Sequence, residues 1–236
     1  MLAYKTRGLA HAFLGKHQQA INDLDRAIAI NPNDGQGYSL RGSAYVGKGE
    51  YDKAIEDFNK AIAINPNDGG AYRGRGFAYI RKGECDNAIE NFNKSIGINP
   101  NDGVAHRGRA FTYYKEGEYS KALEDFNMAI KLNKNDETAY SNRGYIFLES
   151  GKYQSAINDF LQSLQLNKNN VHSYVGLAIV FFNIGRIDDA KKYYKDAIDI
   201  APQCKNGLES LDAEGFFYTP EHKLAVSKIL DYLKYD

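Results

Sequence analysis

Tryptophan is absent from this chain of 236 residues, cysteine occurs only twice and proline only five times. Two cysteines, Cys85 and Cys204, cannot form the disulfide framework of a small secreted domain, and the pairing of thiols so far apart is not expected. A reducing, cytoplasmic setting fits that cysteine usage. Charge of one sign is lacking as well: 30 basic residues stand against 30 acidic ones. A chain organised wholly around nucleic acid or an anionic membrane would be lopsided. No apolar run approaches the roughly 18 residues that a membrane span requires. The start, Met1-Leu2-Ala3-Tyr4-Lys5, has no uninterrupted apolar core of the kind a secretory leader carries. No alternating strand pattern appears anywhere.

What is present is a period. The segment Ile-Asn-Pro-Asn-Asp occurs at residues 30–34, 64–68 and 98–102, each 34 residues after the last. Degenerate copies follow at 132–136 and 166–170, and 200–204 closes the series. A fixed period of this size marks an array of stacked units, each touching only its neighbours. Such an array offers a long surface and no enclosed pocket, so a binding scaffold is the expected class of function. Because the period is in frame from residue 1, a longer native chain with a targeting segment stays open.

Residues 35–68 show the unit. Tyr38, Gly42 and Tyr45 fall on one face of a first helix. Gly49 interrupts, and Ala54, Ile55, Phe58, Ala61 and Ile62 make the face of a second helix. Pro66 cannot extend that helix, for want of an amide donor, and Asp68 is placed to cap the next one. The unit is therefore two antiparallel helices joined by a short turn.

The order aromatic, Gly, Tyr, Ala, Phe, Ala, Pro at repeat positions 4, 8, 11, 20, 24, 27 and 32 resembles the tetratricopeptide repeat, and the resemblance runs over residues 1–204. It is carried by Tyr38, Gly42, Tyr45, Ala54, Phe58, Ala61 and Pro66 in the second copy. Tyr72, Gly76, Tyr79, Ala88, Phe92 and Pro100 carry it in the third. The resemblance implies an all-α, right-handed superhelical solenoid of six repeats (1–34, 35–68, 69–102, 103–136, 137–170, 171–204), followed by capping helices over 205–236. It implies a non-catalytic protein-interaction scaffold without cofactor or metal. In that family the first helix of each repeat lines the inner wall.

Within this frame one position departs from the family. Position 7, ordinarily apolar, is Arg7, Arg41, Arg75, Arg109 and Arg143, then Leu177; position 23 is Asp23, Asp57, Asn91, Asp125 and Asp159, then Tyr193. The two change together, which predicts a pair between the two helices, the stem of the arginine covering the core. A ladder of arginines for an acidic ligand is the alternative. The wall positions 5, 9, 12 and 13 gather Arg73, Phe77, Arg81, Arg107, Phe111, Tyr114, Lys115 and Tyr145 as the candidate partner-binding groove, since Arg and aromatic residues are the composition of interface hot spots. Simple packing of Phe77 and Phe111 between neighbouring first helices is the competing reading. An acidic and apolar peptide or helix is the expected guest; single-stranded nucleic acid in the same groove, or self-assembly through the first repeat, are the alternatives.

Two groove chemistries of the family are missing. Lys5 is followed by Leu9, so the carboxylate clamp is not met. Position 6 reads Thr6, Leu40, Gly74, Gly108, Asn142 and Gly176, so there is no asparagine ladder. His11, His17 and His106 occupy slots held by tyrosine elsewhere and are read as structural, as is Cys85, which is expected to be buried. No His/Cys cluster has metal-ligand spacing. In the tail a helix is expected over 205–213. A second is expected from Thr219-Pro220-Glu221, with Val226, Ile229, Leu230 and Leu233 as its packed stripe, forming a lid over the last repeat.

Overall fold

The computed structural model describes residues 1–209, 211 and 218–234, and every regular element among them is helical. The helices are α1 (Leu2–Phe13), α2 (His17–Ile30), α3 (Gly35–Lys48), α4 (Tyr51–Ile64), α5 (Gly69–Lys82), α6 (Cys85–Ile98) and α7 (Gly103–Lys115). They continue with α8 (Tyr119–Leu132), α9 (Glu137–Glu149), α10 (Tyr153–Leu166), α11 (Val171–Asn183), α12 (Ile187–Ile200) and α13 (Pro220–Leu233). A 3₁₀ turn covers Pro202–Asn206. The rest of the helix expected over 205–213 falls in part outside the described residues. The chain divides into two compact units, Met1–Thr112 and Tyr113–Asp236, so that the division lies inside α7.

Punctuation is local and repeats with the period. Between the helices of each pair sits a glycine with positive φ, such as Gly49 at 83° and Gly83 at 79°. A side chain there would meet the following carbonyl, so the left-handed turn selects glycine. At the other end the stop signal is not the proline. Helices α8 and α10 end at the same place as α4 and α6, although Lys134 and Lys168 stand where Pro66 and Pro100 do. What recurs is an extended asparagine: Asn31, Asn65, Asn99, Asn133 and Asn167 each accept, on the side-chain oxygen, the N–H two residues on. That turn draws the chain out of the helix. Asp68, Asp136 and Asn170 then accept the N–H three residues ahead and start the next helix.

In the first unit α2 packs on α3 and α4 on α5, while the first helices α1, α3 and α5 also touch in sequence. No pair of second helices packs as closely, so within the unit the first helices lie on the inner side of the curve. In the second unit α9 and α11 stand in the same relation.

The core is a repeated insertion. Phe58, Phe92, Phe126 and Phe160 are completely buried. Phe92 lies between Gly76 of its own repeat and Gly108 of the next, where an added methyl group would come 2.9 Å and 2.5 Å from the ring. Gly42 and Gly74 flank Phe58 in the same way, and Gly144 and Gly176 flank Phe160. In the first repeat the inserted residue is Leu24, and the next position 6 is Leu40, packed around the same cluster. The position-6 glycines are thus seats for the ring of the preceding repeat. Gly108→Ala should lower stability by about 2 kcal/mol, the usual scale of core overpacking. Adding Phe92→Leu to that variant should cost less than the sum of the two single changes, as read from urea unfolding midpoints.

Candidate functional site

Arg7, Arg41, Arg75 and Arg143 meet their predicted partners. Arg7 Nε and Nη2 donate to the two carboxylate oxygens of Asp23 at 2.8 and 2.6 Å. Arg41 does the same to Asp57 at 2.7 and 2.8 Å, and Arg143 to Asp159 at 2.7 and 2.8 Å. Arg75 Nε donates to Asn91 at 2.7 Å, the amide standing in for the acid. A second set of partners comes from the neighbouring repeat. The remaining Nη1 of Arg41 donates to Asp25, that of Arg75 to Asn59, that of Arg109 to Asn93 and that of Arg143 to Asn127. All four acceptors occupy position 25 of the preceding repeat, so each arginine ties two repeats together. The signal was available: position 25 is Asp or Asn in the first four repeats and Leu161 in the fifth, just before Leu177 removes the arginine.

Ring faces complete the slot, with Arg7, Arg41, Arg75 and Arg143 lying 5.6, 5.6, 5.4 and 5.6 Å from Tyr4, Tyr38, Tyr72 and Tyr140. Hydrogen bonding to Asp57, more than that to Asp25, holds the Arg41 guanidinium protonated beyond its already high value, against the effect of burial. The bond from Arg7 likewise pulls the Asp23 carboxyl below the usual carboxylate range. Asp57→Tyr should destabilise by about 3 kcal/mol, because it takes the buried carboxylate from a guanidinium that keeps only the exposed Asp25. The double change Arg41→Leu with Asp57→Tyr, which copies the sixth repeat, should cost clearly less. A double-mutant cycle on unfolding midpoints measures the difference.

Of the groove candidates in the first unit, Arg73 pairs with Asp102 at 2.5 Å. Asp102 also caps α7 by accepting from Ala105 N at 3.1 Å. Lys5 makes the equivalent pair with Asp34 at 2.8 Å, so a basic residue at position 5 fastens the loop that leads into the next first helix. Phe77 is half-buried and edge-on to Phe92, ring centroids 5.2 Å apart, and Phe111 belongs to the same cluster. Arg81 is exposed, and its Nε donates to Tyr51 at 3.0 Å, at the turn edge of the array. Arg107 is half-buried on α7.

In the second unit Tyr114 is buried beside Tyr119 and Lys115 is half-buried. Tyr145 departs furthest from expectation. Its side chain is 0% exposed, enclosed by the chain's own tail, with Tyr218 and His222 edge-on at 5.8 and 5.3 Å. Its hydroxyl donates to the carbonyl of His172 at 2.7 Å. The tail segment is built for this place. Thr219 caps α13 by accepting from His222 N, and His222 Nδ1 accepts from Thr219 N at 3.2 Å. The remaining proton is thereby left on Nε2, which faces Glu149 Oε1 at 3.0 Å. Tyr218 and the start of α13 therefore cover position 9 of the fifth repeat as well as the expected last repeat, on which α13 packs. Cys204 is buried, whereas Cys85, expected to be buried, is only half so.

His172 Nδ1 contacts the Tyr218 hydroxyl at 2.7 Å, and burial pushes the imidazole down to about 4. The folded form then binds fewer protons than the unfolded chain, whose histidine titrates near 6.5. This contribution to stability is full above about pH 6.5 and is lost as pH falls from there to about 4, by up to about 3 kcal/mol. His172→Gln should flatten that stretch of the stability-against-pH curve, measured by unfolding at a series of pH values.

Among the described residues no group of three metal-ligating side chains comes together, and no helix is long and apolar enough to cross a membrane.

With the geometry in place, comparison with known families is decisive. Tetratricopeptide-repeat family profiles match residues 2–34, 42–83, 71–102, 112–151 and 147–211. The chain belongs to the tetratricopeptide-repeat family. No curated protein matches it in sequence. Among solved structures it is similar to a chain of the APC/C hetero-tetramer Cut9-Hcn1, at 18% identity and a TM-score of 0.81, with 85% of this chain covered. It spans only 40% of that chain's length. It is also similar to pilF of Pseudomonas aeruginosa at 17% identity and a TM-score of 0.75, covering 90% of this chain and 96% of that one. A third is YrrB, described as a TPR protein with an unusual peptide-binding site, at 21% identity and a TM-score of 0.59, covering 82% and 98%. At these identities the likeness is one of fold. Tetratricopeptide repeats are, as a class, protein-interaction scaffolds.

Proposed function

We propose that the chain is a non-catalytic scaffold whose first-helix wall takes an extended or helical segment of a partner protein bearing acidic and apolar side chains. The observation that carries this reading is the tail of the second unit. There the wall at Tyr145 already holds a guest in cis, with Tyr218 lying on Tyr145 and the start of α13 packed behind it. The corresponding position in the first unit is held by Leu9 and Ser43, both exposed, and by half-buried Phe77. Arg73 stands one turn from Phe77 on α5 and would meet the acidic group of the guest by exchanging Asp102 for it. Phe111 on α7, half-buried, belongs to the same class of wall residue. Tyr145 becomes available only if the tail leaves it.

Single-stranded nucleic acid is the weaker reading. Binding a polyphosphate chain needs a run of uncommitted cations. Here Arg41, Arg75 and Arg143 are spent on Asp57, Asn91 and Asp159, and Arg73 on Asp102.

The second repeat already carries Ser39 and Ser43 at the positions of Arg73 and Phe77, so Arg73→Ser with Phe77→Ser is a change the array accommodates. Peptides selected on the immobilised protein from a displayed library should be rich in acidic and apolar residues and should bind this variant at least tenfold more weakly. Equal affinity for both proteins, by calorimetry, would remove the site.

A further inference from the structure

We propose that the wall of the third repeat reads one kind of segment: an aromatic residue, then the Ser or Thr cap of a helix, then Glu at the third helical position. This rests on the wall reading above and adds the register of the guest. The tail displays the docking mode. Tyr145, at position 9 of α9, stands edge-on to Phe160, centroids 5.0 Å apart and planes at 74°. Tyr218 covers it and also lies against His172, at position 2 of α11. Thr219 caps α13, and His222, the third residue of that helix, faces two ways. Its Nδ1 accepts from Thr219 N, and its Nε2 meets Glu149, at position 13 of α9. The body of α13 packs on α11 and α12, so the contact with α9 is made by the start of the helix.

Helix α5 presents the same parts uncovered. Phe77, at position 9, takes the same pose, edge-on to Phe92 with centroids 5.2 Å apart and planes at 75°. Val104, at position 2 of α7, is 40% exposed, and Arg81, at position 13 of α5, is exposed. What differs is charge: a guanidinium stands where the fifth repeat has the carboxylate of Glu149. The residue in the place of His222 is therefore an acid. Glu suits both its tasks, since one oxygen accepts from the N–H of the cap, as in a capping box, and the other meets Arg81. Arg81 Nε now donates to Tyr51, a neutral acceptor, and a carboxylate makes the stronger, charge-assisted bond. In the 236 residues no aromatic followed by Ser or Thr has Glu three places after that cap. A second copy of them does not carry the segment, and the seat reads it on whichever longer or separate chain does.

The test uses two peptides with the sequence of residues 218–228, one carrying His222→Glu and one unchanged, each with fluorescein at its C-terminus. Both are stapled between Leu224 and Lys228, which are exposed on α13, because so short a helix is lost in water. In anisotropy titrations the full chain should bind the His222→Glu peptide saturably and at least tenfold more tightly than the unchanged one. Arg81→Glu, which gives the third repeat the acid of the fifth, should reverse that order, a gain for the unchanged peptide that a misfolded protein could not produce. Phe77→Ser, which installs the residue that the second repeat carries as Ser43, should abolish binding of the His222→Glu peptide. No saturable binding, equal affinity for the two peptides, or undiminished binding to Phe77→Ser overturns the proposal. Loss of binding in Phe77→Ser with the order unreversed in Arg81→Glu also overturns it, and leaves the wall reading in place.

Discussion

A guanidinium has five N–H groups in a fixed fork, and in this array the fork is divided between two repeats. Two of its nitrogens hold the acid or amide inside the hairpin, and the third holds a side chain of the hairpin before it. Arg41 and Arg143 display the full arrangement within their units. The consequence is cooperative. The bond that fixes the angle between two helices of one repeat also fixes the stacking of that repeat on its neighbour, so neither can relax alone. In repeat proteins stability is close to a sum of unit and neighbour terms. Here one residue type contributes to both, and the apolar interface needs to supply only shape.

Shape comes from the rings. A phenylalanine between two glycines brings backbones close on both sides, and the glycine at position 6 carries no side chain because the ring needs its place. Much of this was legible in the sequence. The period, the hairpin, the turn glycine and the Arg–Asp pair each left a pattern confined to one repeat and copied several times. The position-25 acceptor was not read, although its pattern was present, because it belongs to a neighbouring copy and makes sense only when repeats are stacked. The asparagine turn is masked in the sequence by proline, the more conspicuous stop signal, though Lys134 and Lys168 leave the helix ends where they are. The burial of Tyr145 could not be read at all. Nothing periodic announces that the tail, some seventy residues later, folds back over the fifth repeat.

The candidate wall is altered by the same facts. Cations counted from sequence overstate what a guest can use, since a basic residue at position 5 serves the cap of the next helix in the first and third repeats. What distinguishes the walls of the two units is cover. In the second unit, positions 5, 9 and 12 of α9 are buried; in the first, Leu9 and Ser43 remain exposed. A surface for a partner is therefore better sought where the chain has not already used it on itself.

Cover also explains why the ladder stops. Helix α11 carries no charged residue, and Leu177 at position 7 is completely buried. Arg41, by contrast, keeps a small share of its side chain in water. An ion pair closed off from water must regain the whole cost of stripping two charges, and at that limit apolar packing of similar volume does as well or better. In the last repeat Tyr193 takes the place of the acid and stacks on Phe181, planes 2° apart and centroids 5.3 Å apart. Arg186 then lies over the other aromatic partner of the pair, 4.6 Å from the Phe181 ring. The sixth copy is thus the same hairpin with its electrostatic fastening exchanged for an apolar one, at the place where α13 packs against it. At position 7 water is lost, whereas Leu161 at position 25 stays 44% exposed and Tyr193 at position 23 half-buried, so those two change because the guanidinium they would have served is gone.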